Sequence, residues 1–162
     1  MDTQLLESIL IRQLKTGETP PYKLLLDADP SLEAISRYLE VSDIYVGLLK
    51  DKVIAAFVLY RTDADTIEIK NIAVDDSVQN RGIGWLLLNT ATQIAISKGA
   101  KSLVIGTSNS SVAQLYLYQK NGFEITGIKH NFFADNYPEA IFENGIQCKH
   151  MIMLAKPLHL NN

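Results

Sequence analysis

The chain has 162 residues, 47% of them hydrophobic and 20% charged, with a formal net charge of −3. That length fits a single domain around one core, and the apolar content is too high for a disordered chain. The slight negative charge excludes the electrostatic footprint of a nucleic-acid binder, and no basic block marks a membrane surface.

No apolar run approaches a membrane span, and charges at Asp2, Glu7, Arg12, Lys15 and Glu18 leave no room for a signal peptide. The one cysteine, Cys148, can form no intrachain disulfide, which fits a cytoplasmic protein. A lone cysteine on a strand favours a small core residue over a nucleophile. His130, His150 and His159 lack metal-ligand spacing, so no metal is expected.

Leu5, Leu6, Ile9, Leu10 and Leu14 recur at helical spacing and predict an amphipathic helix over about 2–16, ended by Gly17 and Pro20-Pro21. Such a helix could cover the core or join two copies in a homodimer. Tyr22 to Leu26 reads as a short strand. Asp29-Pro30-Ser31 opens a helix to about Glu40 that buries Leu32, Ala34, Ile35 and Leu39. Asp43 to Lys50, Val53 to Tyr60 and Thr66 to Val74 form a three-strand meander with turns at Asp51-Lys52 and Asp63-Ala64-Asp65. A helix from about Gly82 to Lys98 buries Leu87, Ala91, Ile94 and Ala95, and Gly99 suits the left-handed position after it. Leu103 to Thr107 is a strand, and Asn109-Ser110-Ser111 offers caps for a helix to Asn121-Gly122. Phe123 to Lys129 is a strand, 131–145 a long aromatic and acidic connection, and Gln147 to Leu154 the last strand. The whole is an α/β (α+β mixed) chain with a central mixed, mostly antiparallel sheet flanked by helices.

The third meander strand changes phase. Ile67 and Ile69 share one parity, and Ile72 and Val74 share the other, with the switch near Lys70-Asn71. A β-bulge would produce that switch, and so would a strand end buried on both faces.

The segment Gln79-Asn80-Arg81-Gly82-Ile83-Gly84 lies between this strand and a helix. Two glycines let backbone approach a ligand, and free amides at a helix start attract an anion such as phosphate, with Arg81 beside them. A nucleotide P-loop needs a Lys-Ser/Thr pair where Trp85-Leu86 stands, and a dinucleotide fingerprint needs a third glycine where Leu87 stands.

Gln79 to Gly84 resembles the Q/R-x-x-G-x-G/A motif of the GCN5-related N-acetyltransferases. Glu68-Ile-Lys-Asn-Ile-Ala-Val74 is similar to that family's bulged central strand, and Tyr118-Gln-Lys-Asn-Gly122-Phe123 to its closing helix-to-strand signature. The resemblance implies that acetyl-CoA is the cosubstrate. It implies that Gln79, Asn80, Arg81, Gly82, Ile83 and Gly84 hold the pyrophosphate, and that Ile72, Ala73 and Val74 offer main-chain groups to the pantetheine arm. It implies that Tyr118, with Tyr116 as competitor, is the general acid and Glu68 the general base. Where the family often has Asn, at the start of the closing helix, this chain has Ser111, with Asn109 two residues earlier; either could face coenzyme A. Cys148 is expected on the last strand, away from the thioester, with no covalent role.

Amine acetylation by direct attack in a ternary complex is the activity so implied. The expected acceptor is a small-molecule amine, and the acidic aromatic loop 131–145 suits a cationic one. A free amino acid, a protein N-terminus or lysine, and a non-catalytic acyl-CoA sensor on the same scaffold stay open.

Overall fold

The structure, a computed structural model, describes residues 1–159. Helix α1 (Thr3–Glu7) is capped by the Asp2 carboxylate, which accepts from the Leu5 amide at 3.1 Å. The helix expected over 2–16 stops there. At Leu10–Gln13 the chain becomes edge strand β1, antiparallel to β2 (Asp43–Leu49). Strand alternation lets Ile9 and Ile11 pack against the core while Leu10 is 62% exposed. Over so short a stretch the two periodicities overlap, and pairing with β2 decides between them. The long apolar helix face that suggested a dimer is therefore not formed.

Tyr22–Ala28 is helix α2, not a strand. The apolar run suits either state. It lies across a sheet face, where Leu24 and Leu25 cluster with Ala56, Val58 and Ala73. The following helix, α3 (Leu32–Leu39), is capped by Ser31, whose hydroxyl accepts from the Ala34 amide at 3.1 Å. Ile35 is buried as expected, but Leu32 is exposed.

Strands β2, β3 (Lys52–Arg61) and β4 (Thr66–Val74) form the meander. Its first turn is centred on Lys50 and Asp51, one residue before the expected position, with φ of 48° and 64°. Left-handed central residues match the twist of a two-residue hairpin. The phase switch in β4 is a bulge. Val58 faces Asn71 and Leu59 faces Ile69, so Lys70 has no partner on β3. Ile67, Ile69, Ile72 and Val74 consequently all pack on one face, and Ala73 turns to the other.

After β4 come α4 (Ile83–Ser97), β5 (Ser102–Ser108), α5 (Val112–Lys120), β6 (Glu124–Lys129), α6 (Phe132–Asn136), a small hairpin of β7 (Phe142–Glu143) and β8 (Ile146–Gln147), and β9 (Met151–Pro157). The main sheet runs β1-β2-β3-β4-β5-β9-β6, and every pairing is antiparallel except β4 with β5. One face is covered by α4, whose Ile83, Leu87, Leu88, Ala91 and Ala95 are buried; α2 and α3 cover the other. Both α4 and α5 end on a left-handed glycine, Gly99 and Gly122. The closing bonds are Ala100 N–H to Ala95 C=O and Phe123 N–H to Tyr118 C=O, each at 3.0 Å.

The last strand starts four residues later than expected, because Gln147 belongs to the small hairpin and 148–150 form a connection. The hairpin turns on Asn144-Gly145, both left-handed.

Leu87 is fully buried between α4 and the sheet. Leu87→Ala should cost about 2–5 kcal/mol of stability. Urea denaturation should show a lower midpoint with an unchanged slope.

Candidate active site

Strands β4 and β5 pair only from Thr66–Ile69 to Ser102–Ile105. Both continue beyond that point unpaired with each other, so the sheet opens in a wedge. The hydrogen-bond alternation of β3 and β4 determines which β4 groups face the opening. Asp75 N–H donates to Ile54 C=O at 2.8 Å, and the opposed pairs continue as Ala55–Val74, Ala56–Ala73, Phe57–Ile72 and Val58–Asn71. Antiparallel pairs alternate between bonded and non-bonded. Ala73 and Asn71 therefore direct their main-chain groups at β3, and Ile72 and Val74 direct theirs at the wedge. Of the expected trio, Ala73 has its amide committed to the ladder. The Val74 carbonyl accepts from Gln79 Nε2 at 3.0 Å.

A cavity of about 450 Å³ occupies the wedge. One wall is Ile69 to Ile72 of β4, and the facing wall is Ile105 to Ser108 of β5. Helix α5 contributes Ser111, Gln114 and Tyr118, while Asp27 to Pro30 close the α2 side. Phe133, Tyr137, Glu143 and Cys148 complete the surround from the 131–150 region.

Tyr118 is 4% exposed, and its ring packs 6.2 Å from that of Phe123. The bond from Phe123 N–H to the Tyr118 carbonyl explains the spacing of Tyr118 to Gly122-Phe123: the helix end that the glycine permits fixes the tyrosine. Tyr116 is 65% exposed and outside the cavity wall, so it is not the competitor it seemed. Burial pushes the Tyr118 phenol well above its ordinary value, and the Glu143 carboxylate adds to the effect.

Glu68 lies on β4 just before the cavity wall begins, with its carboxylate 3.7 Å from Lys70 Nζ. Asn109 and Ser111 part company. Asn109 Oδ1 accepts from the amides of Lys149 and His150 at 2.9 Å, and its Nδ2 donates to the Gln147 carbonyl at 3.1 Å. Its side chain is committed to that connection. Ser111 occupies the N-cap position of α5, yet its hydroxyl makes no cap and donates instead to Glu143 Oε2 at 2.7 Å. Cys148 is in the cavity wall, not on the last strand, with Sγ 3.0 Å from Ser110 Oγ. The Asn109 bonds draw the 147–150 backbone inward and produce that difference.

Gln79, Asn80, Arg81, Gly82, Ile83 and Gly84 form the turn into α4. Asn80 and Gly82 are left-handed, at φ 59° and 95°, and Gly82 is the N-cap. The amides of the first turn point out of the helix start without intrahelical partners. Arg81 is salt-bridged to Asp2, and a Cβ on Gly82 would come within 2.6 Å of Met1 Cγ. The second glycine also serves packing, since a Cβ on Gly84 would lie 3.1 Å from Leu117 Cδ2 of α5.

The sequence places Glu143 in the acidic aromatic loop that suits a cationic amine, but assigns no ligand role to Asp29 or Asn71. Asn71 was visible as the one amide in an apolar strand end, and Asn144-Gly145 marked the hairpin that carries Glu143. Nothing in the sequence pattern joins Asp29 to either. Among the described residues no three His, Cys, Asp or Glu side chains gather as metal ligands, and no helix is long and apolar enough to cross a membrane.

The sheet thus splits between two parallel strands, and a glycine turn leads from the first of them into α4. The family model described as acetyltransferase (GNAT) family matches residues 9–123. The uncharacterized N-acetyltransferase YvbK of Bacillus subtilis is 47% identical over 133 residues, covering 82% of this chain and 86% of YvbK. A GNAT family acetyltransferase from Elizabethkingia anophelis, with acetyl-CoA bound, superposes with a TM-score of 0.93 at 51% identity, over 94% of this chain and 99% of that one. The IAA acetyltransferase of Bacillus cereus superposes with a TM-score of 0.90 at 44% identity, over 93% of this chain and 100% of that one. The chain belongs to the GNAT acetyltransferase family and is an N-acetyltransferase.

The raised Tyr118 value has a signed consequence. A group whose folded value is raised contributes stability that is present below its ordinary value, about 10 for tyrosine, and lost as pH rises through the folded value. Melting temperature should therefore fall above about pH 10, and less steeply in Tyr118→Phe. Parallel melts of the two proteins across alkaline pH check this.

Proposed function

We propose that the protein transfers the acetyl group of acetyl-CoA directly to the primary amine of a small molecule, with both substrates bound together. The observation that carries the reading is the cavity in the β4–β5 wedge, with Ile72 on one wall and Tyr118 on another. The acetyl-CoA bound to the Elizabethkingia protein supports the choice of cosubstrate.

In this reading the turn from Gln79 to Gly84 and the first amides of α4 hold the pyrophosphate, as a helix N-terminus suits an anion. Ile72 and Val74 offer main-chain groups to the pantetheine arm, and Ser111 borders it at the start of α5. Asn109 takes no part, since its amide is committed elsewhere.

The attacking nitrogen must be neutral, although an alkyl ammonium titrates near 10. Glu68 accepts the departing proton through a bridging water, which its place just outside the cavity wall requires. A bond forms from nitrogen to the acetyl carbon, and the Ile72 N–H donates to the carbonyl oxygen as charge develops there. The carbon–sulfur bond then breaks, and the thiolate takes the Tyr118 proton. Burial of that phenol keeps it protonated across the range in which amines become neutral.

Acetyl-CoA at a hundredfold excess over its Kd should add about 2.7 kcal/mol of apparent stability, a melting shift of roughly 5–10 °C. Tyr118→Phe should keep that shift and lower kcat by about 10²–10⁴ in thiol release with an accepted amine, and Glu68→Gln should lower kcat in the same assay. A melting shift in wild type with no turnover on any amine would favour the sensor reading.

A further inference from the structure

We infer that the acceptor carries a second amino group that stays protonated, as in a diamine or polyamine, and that Asp29, Asn71 and Glu143 recognise it. The inference rests on the proposed transfer in this cavity.

The charged residues of the cavity wall are Asp27, Asp29, Glu143 and Lys70, three formal negative charges against one positive. Lys70 is engaged already, with its ammonium 3.7 Å from Glu68 and 5.7 Å from the centre of the Tyr38 ring. Among the described residues neither Asp29 nor Glu143 is salt-bridged to a Lys, Arg or His. Their partners are neutral donors: Tyr137 hydroxyl at 2.7 Å and Ser31 amide at 3.2 Å on Asp29 Oδ1, and Ser111 hydroxyl at 2.7 Å on Glu143 Oε2. Asp29 Oδ2 has only a long contact, 3.5 Å, to the Tyr38 hydroxyl. Each carboxylate thus retains lone-pair capacity as well as uncompensated charge.

Asn71 supplies an independent observation. Its Nδ2 donates to the Leu25 carbonyl and to the Tyr38 hydroxyl, both at 2.9 Å. A carbonyl can only accept, so the amide cannot be flipped, and Oδ1 is the atom left over. That oxygen is buried without a partner, in a residue of the cavity wall that is 5% exposed. A buried acceptor without a donor is rare and calls for one. The spare side-chain capacity on Asp29, Asn71 and Glu143 is all acceptor capacity, and its match is a group with several N–H donors and positive charge.

That group is not the nucleophile. Carboxylates favour the charged form of a nearby amine, and only the neutral form attacks. Two uncompensated carboxylates would hinder transfer to a lone amine, whereas they suit a cation that remains charged throughout. Tyr137, bonded to Asp29, and Phe133, whose ring centre lies 5.6 Å from that of Tyr137, are further surfaces for such a cation.

The test measures thiol release from acetyl-CoA with a homologous series of α,ω-diaminoalkanes, the matched amino alcohols and the matched ω-amino acids. The best diamine should exceed its amino alcohol in kcat/KM by at least about tenfold, with the amino acid lowest. Asp29→Asn and Glu143→Gln retain acceptors for Tyr137 and Ser111 and should shrink that gap mainly through KM. Amino alcohols or amino acids used as well as diamines would overturn the inference. So would diamines that neither react nor raise the melting temperature of the CoA-loaded protein. The melt with acetyl-CoA alone, run on the same preparation, separates the two failures. A cofactor shift without diamine preference removes only this inference, and no cofactor shift removes the reading beneath it.

Discussion

One residue without a partner organises this molecule. Lys70 is the extra member of β4 opposite β3, and past it the strand bends away from β5. A regular strand would have kept the parallel ladder closed and turned Ile72 and Val74 away from the face that holds Ile67 and Ile69. The bulge keeps all four on the core face of α4 while releasing the main-chain groups on the far edge of the strand. Core packing and an opening in the sheet, which ordinarily conflict, are thereby satisfied by the same residue.

The two glycine-ended helices complete the arrangement. α4 starts at a left-handed glycine, while Gly84 allows α5 to approach closely through Leu117. α5 ends at Gly122, and the chain reversal there ties Tyr118 by its carbonyl to Phe123. Three stretches far apart in the chain thus converge because each is constrained by backbone geometry more than by side-chain chemistry.

That is why so much of this half was legible. Phase in β4, glycines at helix ends and the order of strand and helix are all written in local pattern, and local pattern decided them. The N-terminal stretch was not legible because Ile9 and Leu10 continue the helical spacing of Leu5 and Leu6 while Ile9 and Ile11 alternate as a strand, and pairing with β2 decides between them. The run at Tyr22 was ambiguous for the same reason: a few leucines do not say whether they will join a sheet or lie on one. The acceptor side was the least legible. Asp29, Asn71 and Glu143 come to line one cavity only through contacts that span the chain, such as the Tyr137–Asp29 bond across 108 residues. The misplacement of Cys148 followed from missing the Asn144-Gly145 turn, a local signal that was present.

Asn109 holds the connection 147–150 by three bonds from one side chain, and the Asn144 amide adds a bond to the Ser110 carbonyl at 2.9 Å. These attachments are polar, in contrast to the apolar seam of α4. The segment from the small hairpin to His150 is thus fastened to the body at discrete points and not welded into the core. A segment held this way is expected to open locally at less cost than the sheet. Amide exchange in the hairpin should then run ahead of exchange in β3 and β4.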